Sequence, residues 1–404
     1  MTINWAEKFD HTTLEELRSS GGLKWSTFPD AIGMFVAEMD FGLAPAVADV
    51  LRAAAQSPVG VGYPTTEMCE LASGEAVRWY SSATGENLEQ LVADGAARVH
   101  NMPSVLSALG LVLRHLIPAG APVVVPTPAY MPMLTIPPKL QHPVIQVPSI
   151  VTEDGRYHFD YEAIERAVQE QGAKLFILVN PWNPTGRVLS RAELERLDSI
   201  LSRHPDVRVF SDEIHTPFVF SGKHVPYWAI SHSAACQTVT AFAPNKGWNI
   251  PGLHASTMVL TRPSDERIME PELASISAFT APIGMRAAAA AYRDSRAWSG
   301  AVVDYLRTNR DLLQQRIDAI PGLEMAAMDG TYIAWIDCRP AREHGVIPAG
   351  VMPADWILER AGVALTAGAG CGKGYEDFVR LIFATPRSVL SQALDQIAAV
   401  FTQS

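Results

Sequence analysis

The chain predicts an α/β fold, with a large three-layer domain around a mostly parallel seven-stranded sheet and a smaller α/β C-terminal domain. Three observations lead there. Seven short apolar runs recur between residues 97 and 260. Helical patterns fall between several of them, as joining parallel strands requires. Past Pro282 the texture changes to long helices with two strand-like runs, which marks a second lobe.

In chain order, a polar opening precedes Phe35-Val-Ala-Glu-Met-Asp-Phe41, and a helix is expected over 46–56. Val59-Gly-Val-Gly-Tyr-Pro-Thr65 reads as a loop from its Gly and Pro content, and 67–81 as a second helix. The candidate strands are 97–100, 122–125, 144–147, 174–179, 207–211, 237–241 and 256–260. Helices are expected over 104–116, 160–171 and 191–203. Near-continuous apolar strands interleaved with amphipathic helices imply a sheet covered on both faces. Helices at 287–292 and 302–320, a strand at 332–337, a helix at 354–361, a strand at 379–382 and a closing helix at 388–401 complete the second lobe. The expected division is an N-terminal segment, 1–45, joining the small domain; a large domain, 46–285; and the small domain, 286–404.

Composition narrows the function. Apolar residues make up 48% and charged ones 19%, the balance of a globular protein that buries a core. A formal net charge of -11 offers no basic footprint, so neither nucleic acid nor an anionic membrane is an expected partner. The first ten residues lack the basic-then-apolar order of a signal peptide, and a cytoplasmic location is expected. Cys69, Cys236, Cys338 and Cys371 show no CxxC spacing and read as reduced thiols. The eleven histidines form no HxxxH or Cys/His cluster, so no metal site is expected. Small-molecule chemistry is what is left.

Ligands of parallel α/β sheets bind beyond the carboxyl ends of the strands, which is where the chemical residues fall. The run 174–179 is followed by Asn180-Pro-Trp-Asn-Pro-Thr-Gly186, a stiff turn able to aim an Asn side chain. The next run ends in Ser211-Asp-Glu-Ile-His-Thr-Pro217. An Asp at the end of a buried strand is costly without a cation, so Asp212 wants a positive partner. After the next run comes Thr240-Ala-Phe-Ala-Pro-Asn-Lys-Gly-Trp-Asn-Ile-Pro-Gly-Leu253, with Lys246 as its lone charge. Alone, such a lysine is an ordinary loop residue. Desolvated in a pocket, it becomes a nucleophilic amine. An Asn turn, an Asp and a Lys at successive strand ends form the set that pyridoxal phosphate needs. The Lys forms a Schiff base, the Asp keeps the ring nitrogen protonated, and the Asn bonds the phenolic oxygen.

These residues carry a resemblance. The chain is similar to fold-type I pyridoxal-phosphate enzymes of the class I/II aminotransferase superfamily, most of all to the MalY/PatB branch of cystathionine β-lyases and C–S lyases. The likeness runs through Val36-Ala-Glu-Met-Asp-Phe41, Gly62-Tyr-Pro, Pro126-Thr-Pro-Ala-Tyr130, the Asn180 to Val188 turn, Ser211-Asp-Glu-Ile-His215, Lys246 with Asn249-Ile-Pro-Gly, Gly330 to Arg339, and Phe378-Val-Arg-Leu381. It implies the aminotransferase type I fold with pyridoxal 5'-phosphate in the large domain. It makes Lys246 the Schiff-base lysine, Asp212 the pyridinium partner and Asn183 the contact to the phenolic oxygen, with His215 near that edge. Tyr130 is implied to stack on the ring, Arg380 to clamp the substrate α-carboxylate, and Asp40 and Trp182 to stand at the substrate. Tyr63 matches a tyrosine that reaches the cofactor phosphate of a neighbouring subunit, which implies a homodimer with shared active sites. The phosphate is implied to rest at the helix start near Asn101, Met102 and Ser104.

The chain also departs from its relatives. Ala243 and Asn245 stand where hydroxyls often face the phosphate, which turns attention to Asn245 and His254 as replacements. Trp182 and Trp248 are further departures and suggest a reshaped substrate pocket. Gly368-Ala-Gly-Cys-Gly-Lys-Gly374 mimics a nucleotide loop, but no Ser or Thr follows its Lys, and it reads as a flexible loop edging the site. The leading expectation for the reaction is α,β-elimination of a thiol or thioether from an L-amino acid. Transamination, or a specialised biosynthetic reaction at another bond, uses the same residues and stays open.

Overall fold

The computed structural model describes residues 3–153 and 155–402. Its centre is a seven-stranded sheet of β1 (Arg98–Met102), β2 (Val123–Thr127), β3 (Val144–Pro148), β4 (Leu175–Val179), β5 (Arg208–Asp212), β6 (Thr238–Phe242) and β7 (Ser256–Leu260). The spatial order is β1-β7-β6-β5-β4-β2-β3. Only β7 runs against its neighbours, pairing antiparallel with β1 and β6; the other pairings are parallel. Every residue of β2, β4, β5, β6 and β7 is buried, whereas β1 and β3 at the edges are largely half-buried. Two covered faces explain why the inner strands are continuous apolar runs without alternation.

Helices cover the sheet where local chemistry starts them. In α1 (Thr66–Thr84) Thr65 caps the N-terminus and Gly85, at φ 72°, ends the helix in the left-handed region that glycine tolerates. In α2 (Val105–His115) the Ser104 hydroxyl accepts from Ser107 N at 3.1 Å, and Ala108, Leu109, Leu111 and Val112 turn a fully buried face to the sheet. Ser190 and Glu193 form a reciprocal capping box on α3 (Arg191–Leu201). Sequence patterning placed these helices to within a few residues. It missed Met131–Lys139, which carries Pro137 and Pro138, and Ser264–Ala278, which carries Pro271. Proline in a helix interior is disfavoured strongly enough to mask both segments.

The second sheet is antiparallel, of β8 (Glu324–Met325), β9 (Ile333–Asp337), β10 (Thr366–Ala367) and β11 (Phe378–Ile382), in the order β8-β9-β11-β10. The long helices α4 (Arg296–Asp318) and α5 (Arg387–Thr402) belong to this lobe. In the N-terminal segment Ile32–Gly33 pairs parallel with Val363–Ala364, just before β10. Among the described residues no helix is long and apolar enough to cross a membrane.

Candidate active site

Four parallel strands end at one cavity of about 440 Å³. Beyond β2 comes Tyr130, beyond β4 Asn183, at the end of β5 Asp212 with Ile214 and His215, and beyond β6 Asn245 and Lys246. Register brings these ends level, since Val179 pairs with Asp212 and Asp212 with Ala241. Arg380 enters from β11, and Phe35, Val36 and Ala37 of the N-terminal segment close the remaining side.

Lys246 is partly buried, and its Nζ donates to the carbonyl oxygen of Ala37 at 2.7 Å. Tyr332 donates to the same oxygen at 3.0 Å. Burial, and after it the Arg380 charge, bring the amine down to about 8, so a neutral nucleophile is within reach near physiological pH. Asn249, held at φ 56°, anchors the facing segment. Its amide oxygen accepts from Met39 N at 2.9 Å, and its Nδ2 donates to Met39 O at 2.7 Å.

Asp212 is only 3% exposed, and its Oδ1 accepts from Ile214 N at 3.1 Å. Burial pushes its carboxyl up to about 7. The Ile214 N–H and Lys246 oppose that rise, and the Glu213 charge adds to it. Among the described residues no cation pairs with Asp212 at ion-pair distance. A buried acid left in this state is stabilised by any cation brought against it. His215 is held down to about 3 by burial and by the charges of Lys246 and Arg380, so its ring is neutral. Its Nδ1 has no hydrogen-bond partner. Tyr130 lines the same cavity, and burial raises its phenol.

Arg380 is 4% exposed. Its Nη1 lies 3.4 Å from Asn183 Oδ1 and its Nη2 3.5 Å from Thr366 Oγ1, while Nε has no partner. Among the described residues no carboxylate pairs with it. A buried guanidinium with spare donors is the side chain that accepts a substrate carboxylate in two-pronged fashion. At the opposite wall Ser104, Val105 and Leu106 begin α2. First-turn N–H groups have no helical acceptor, and with the helix dipole they favour an anion.

The remaining expected residues lie elsewhere. Asn101 and Met102 belong to β1: the Asn101 amide donates to Cys69 O at 2.9 Å, and Met102 is fully buried in the core. The anion-favouring turn starts at Ser104, as the expected helix over 104–116 had it, because β1 runs on to Met102. His254 does not line the cavity; it is exposed, at φ 47° after a short 3-10 turn. Asn245 does line it, with Oδ1 buried and unpartnered. Trp182 packs on Phe159 and donates from Nε1 to Pro128 O at 2.9 Å, stiffening the Asn turn from beneath. Trp248 points away, donating to Ser295 O at 3.1 Å among Trp79 and Tyr292. Neither tryptophan lines the cavity. Asp40 accepts from Lys24 Nζ at 2.6 Å and from Trp25 Nε1 at 2.9 Å, a buried pair that fixes the N-terminal segment. Tyr63 is 97% exposed on the surface of this single chain. The Gly368–Cys371 stretch forms a 3-10 turn against the site, with Ala129 N donating to Cys371 O at 2.8 Å, and is not the free loop that its glycines suggested.

Thr366 and Phe35 gave no sequence signal, and Ala37 and Tyr332 lie in runs that carry the likeness without a role assigned by it. Thr366 reaches Arg380 only because the two are directly paired across β10 and β11, and Ala37 contributes a backbone oxygen. A lysine amine, a buried carboxylate lacking a cation, and a helix start able to hold an anion fit the amine-reactive aldehyde, the basic ring nitrogen and the phosphate of pyridoxal phosphate.

Known proteins resemble this chain over nearly its full length. The cystathionine β-lyase of Corynebacterium glutamicum is 30% identical over 96% of this chain and 98% of its own. The cystathionine β-lyase PatB of Bacillus subtilis is 27% identical over 96% of this chain and 98% of its own. The structure of a pyridoxal-phosphate-bound C–S lyase from Staphylococcus hominis superposes with a TM-score of 0.85, at 25% identity, over 98% of this chain and 99% of that one. The family model for aminotransferases of class I and II matches residues 29–397, and the chain belongs to that family.

Proposed function

We propose that this protein is a pyridoxal-phosphate-dependent C–S β-lyase, which removes a thiol from an L-amino acid by α,β-elimination. The observation that carries the reading is the cavity itself. Lys246, the cation-lacking Asp212 and the carboxylate-lacking Arg380 converge there, in a chain whose full-length relatives include cystathionine β-lyases.

Bound there, pyridoxal phosphate supplies a ring that withdraws electrons from the substrate's Cα. Asp212 would hold the proton on its ring nitrogen, Asn183, neutral His215 and Tyr130 would contact the ring, and the first-turn amides of Val105 and Leu106, with Asn245, would hold its phosphate. Arg380 grips the α-carboxylate through Nη1 and Nη2, fixing the Cα–H bond relative to Lys246. The Lys246 amine takes the α-proton at Nζ and is the nearest acid for the departing sulfur. Ala37 O, which accepts from Nζ at 2.7 Å, parks the amine between these steps.

The working unit is read as a cytoplasmic homodimer. The chain's free thiols suit a reducing compartment, and the exposed loop of Val59, Val61 and Tyr63 supports pairing with a second copy. The reading is tested by mass balance on an S-substituted cysteine such as cystathionine. Thiol, pyruvate and ammonia are expected in equal amounts; recovery of the keto acid that keeps the whole carbon–sulfur skeleton would overturn it.

A further inference from the structure

The cavity offers a substrate one carboxylate clamp and no second. Among the described residues its cations are Lys246 and Arg380, since His215 is neutral. Lys246 is committed to the cofactor, which leaves Arg380, and one guanidinium fork satisfies one carboxylate. The surroundings of that fork are apolar on both sides. At Nη2, Thr366 Oγ1 lies 3.5 Å away and donates to Phe35 O at 2.9 Å, which ties Phe35 and Val36 to the clamp. At Nη1, Met131 Sδ lies at 3.8 Å. Phe35, Val36 and Met131 are half-buried and line the cavity, with Leu106 and Pro251 as further apolar lining. The Phe35 ring packs edge to face on Phe28 at 5.4 Å, so its position does not depend on a ligand.

With the α-carboxylate on Arg380, the substrate side chain extends along this wall. Hydrocarbon gains there by leaving water, whereas a carboxylate or an ammonium would be desolvated without a partner. We propose that Phe35, Val36 and Met131 form a specificity wall that selects L-cysteine derivatives whose sulfur carries an uncharged hydrocarbon group, over those whose substituent ends in a charge, cystathionine included. The proposal deepens the lyase reading and rests on it for the sulfur, and on Arg380 for the α-carboxylate.

Two measurements on the holoenzyme test it. The first needs no turnover. L-norleucine and L-2-aminoadipate carry no leaving group and differ only in a terminal methyl against a terminal carboxylate. Titrated against the absorbance of the bound cofactor, norleucine is expected to bind at least ~10-fold more tightly. Equal binding, or tighter binding of 2-aminoadipate, overturns the proposal. The second follows kcat/KM from S-methyl- to S-butyl-L-cysteine, which is expected to rise about fourfold per methylene, as hydrocarbon burial dictates. Cystathionine is expected to give the same classes of product with kcat/KM at least ~10-fold below S-butylcysteine. In Phe35→Ala the gain is expected to drop below about twofold per methylene, because part of the burying surface is gone. A flat or falling series in the wild type, or cystathionine as the better substrate, overturns the wall and leaves the lyase reading standing. Failure of every S-substituted cysteine to yield pyruvate overturns the lyase reading instead, and the norleucine comparison then still decides the wall.

Discussion

Lys246 Nζ and Ala37 O are 2.7 Å apart, although 209 residues separate them in the chain. The contact joins the reactive amine to the N-terminal segment that closes the cavity. In Lys246→Ala the amine is gone while the strand ends are unchanged. Elimination activity is expected to fall by at least ~10³-fold, as when a covalent catalyst and its proton transfer are lost together. Steady-state kinetics check the loss, and denaturation shows whether the fold persists.

Arg380→Lys keeps the charge and removes the fork. About 1.5–3 kcal/mol of charge-assisted hydrogen bonding is at stake, so KM is expected to rise roughly ten- to a hundredfold. An effect confined to kcat would separate Arg380 from the substrate carboxylate.

Asp212 makes apoprotein stability depend on pH. Its folded carboxyl, at about 7, lies above the ordinary value of about 3.9. The folded state therefore binds the extra proton between those values, and stability falls as pH rises from about 4 to 7. His215, held at about 3, works in the opposite direction below its ordinary pKa, so the two must be separated by difference. Asp212→Asn is expected to gain on the wild type as pH rises through that window, by at most about 4 kcal/mol, in urea melts of the apoprotein. A constant difference across the window contradicts this.

Lys24 and Asp40 form a buried pair in the N-terminal segment. Lys24→Met strands the Asp40 charge and is expected to cost about 3–5 kcal/mol. Lys24→Met combined with Asp40→Leu is expected to recover most of it, measured by denaturant midpoint. Substrate KM of the folded enzyme is expected to change little in these variants, since neither residue lines the cavity.

Trp182→Phe is expected to affect the turn and not the substrate. Losing the Nε1 bond to Pro128 O removes about 1 kcal/mol of stability, with KM changed less than about threefold.

Much of this was legible in residue order. Continuous apolar runs announce the buried parallel sheet, and the placement of Asn183, Asp212 and Lys246 just after three of them puts them at one edge. Arg380 was reachable through the family likeness alone, because a lone strand arginine carries no pattern. What stayed hidden depends on register or on backbone. Thr366 meets Arg380 only through strand pairing, and Ala37 acts through its carbonyl. Trp182 and Trp248 sit next to site residues in sequence, which points them toward the pocket. Neighbours in a turn point in different directions, and both indoles found backbone acceptors in the core.

The most direct test of the central claim is the dependence of turnover on a keto-acid acceptor. Purified holoenzyme with an S-substituted cysteine is expected to release pyruvate at the same rate with and without added keto acid. Turnover that begins only when a keto acid is supplied, with its amino acid formed in equal amount, would contradict the lyase assignment.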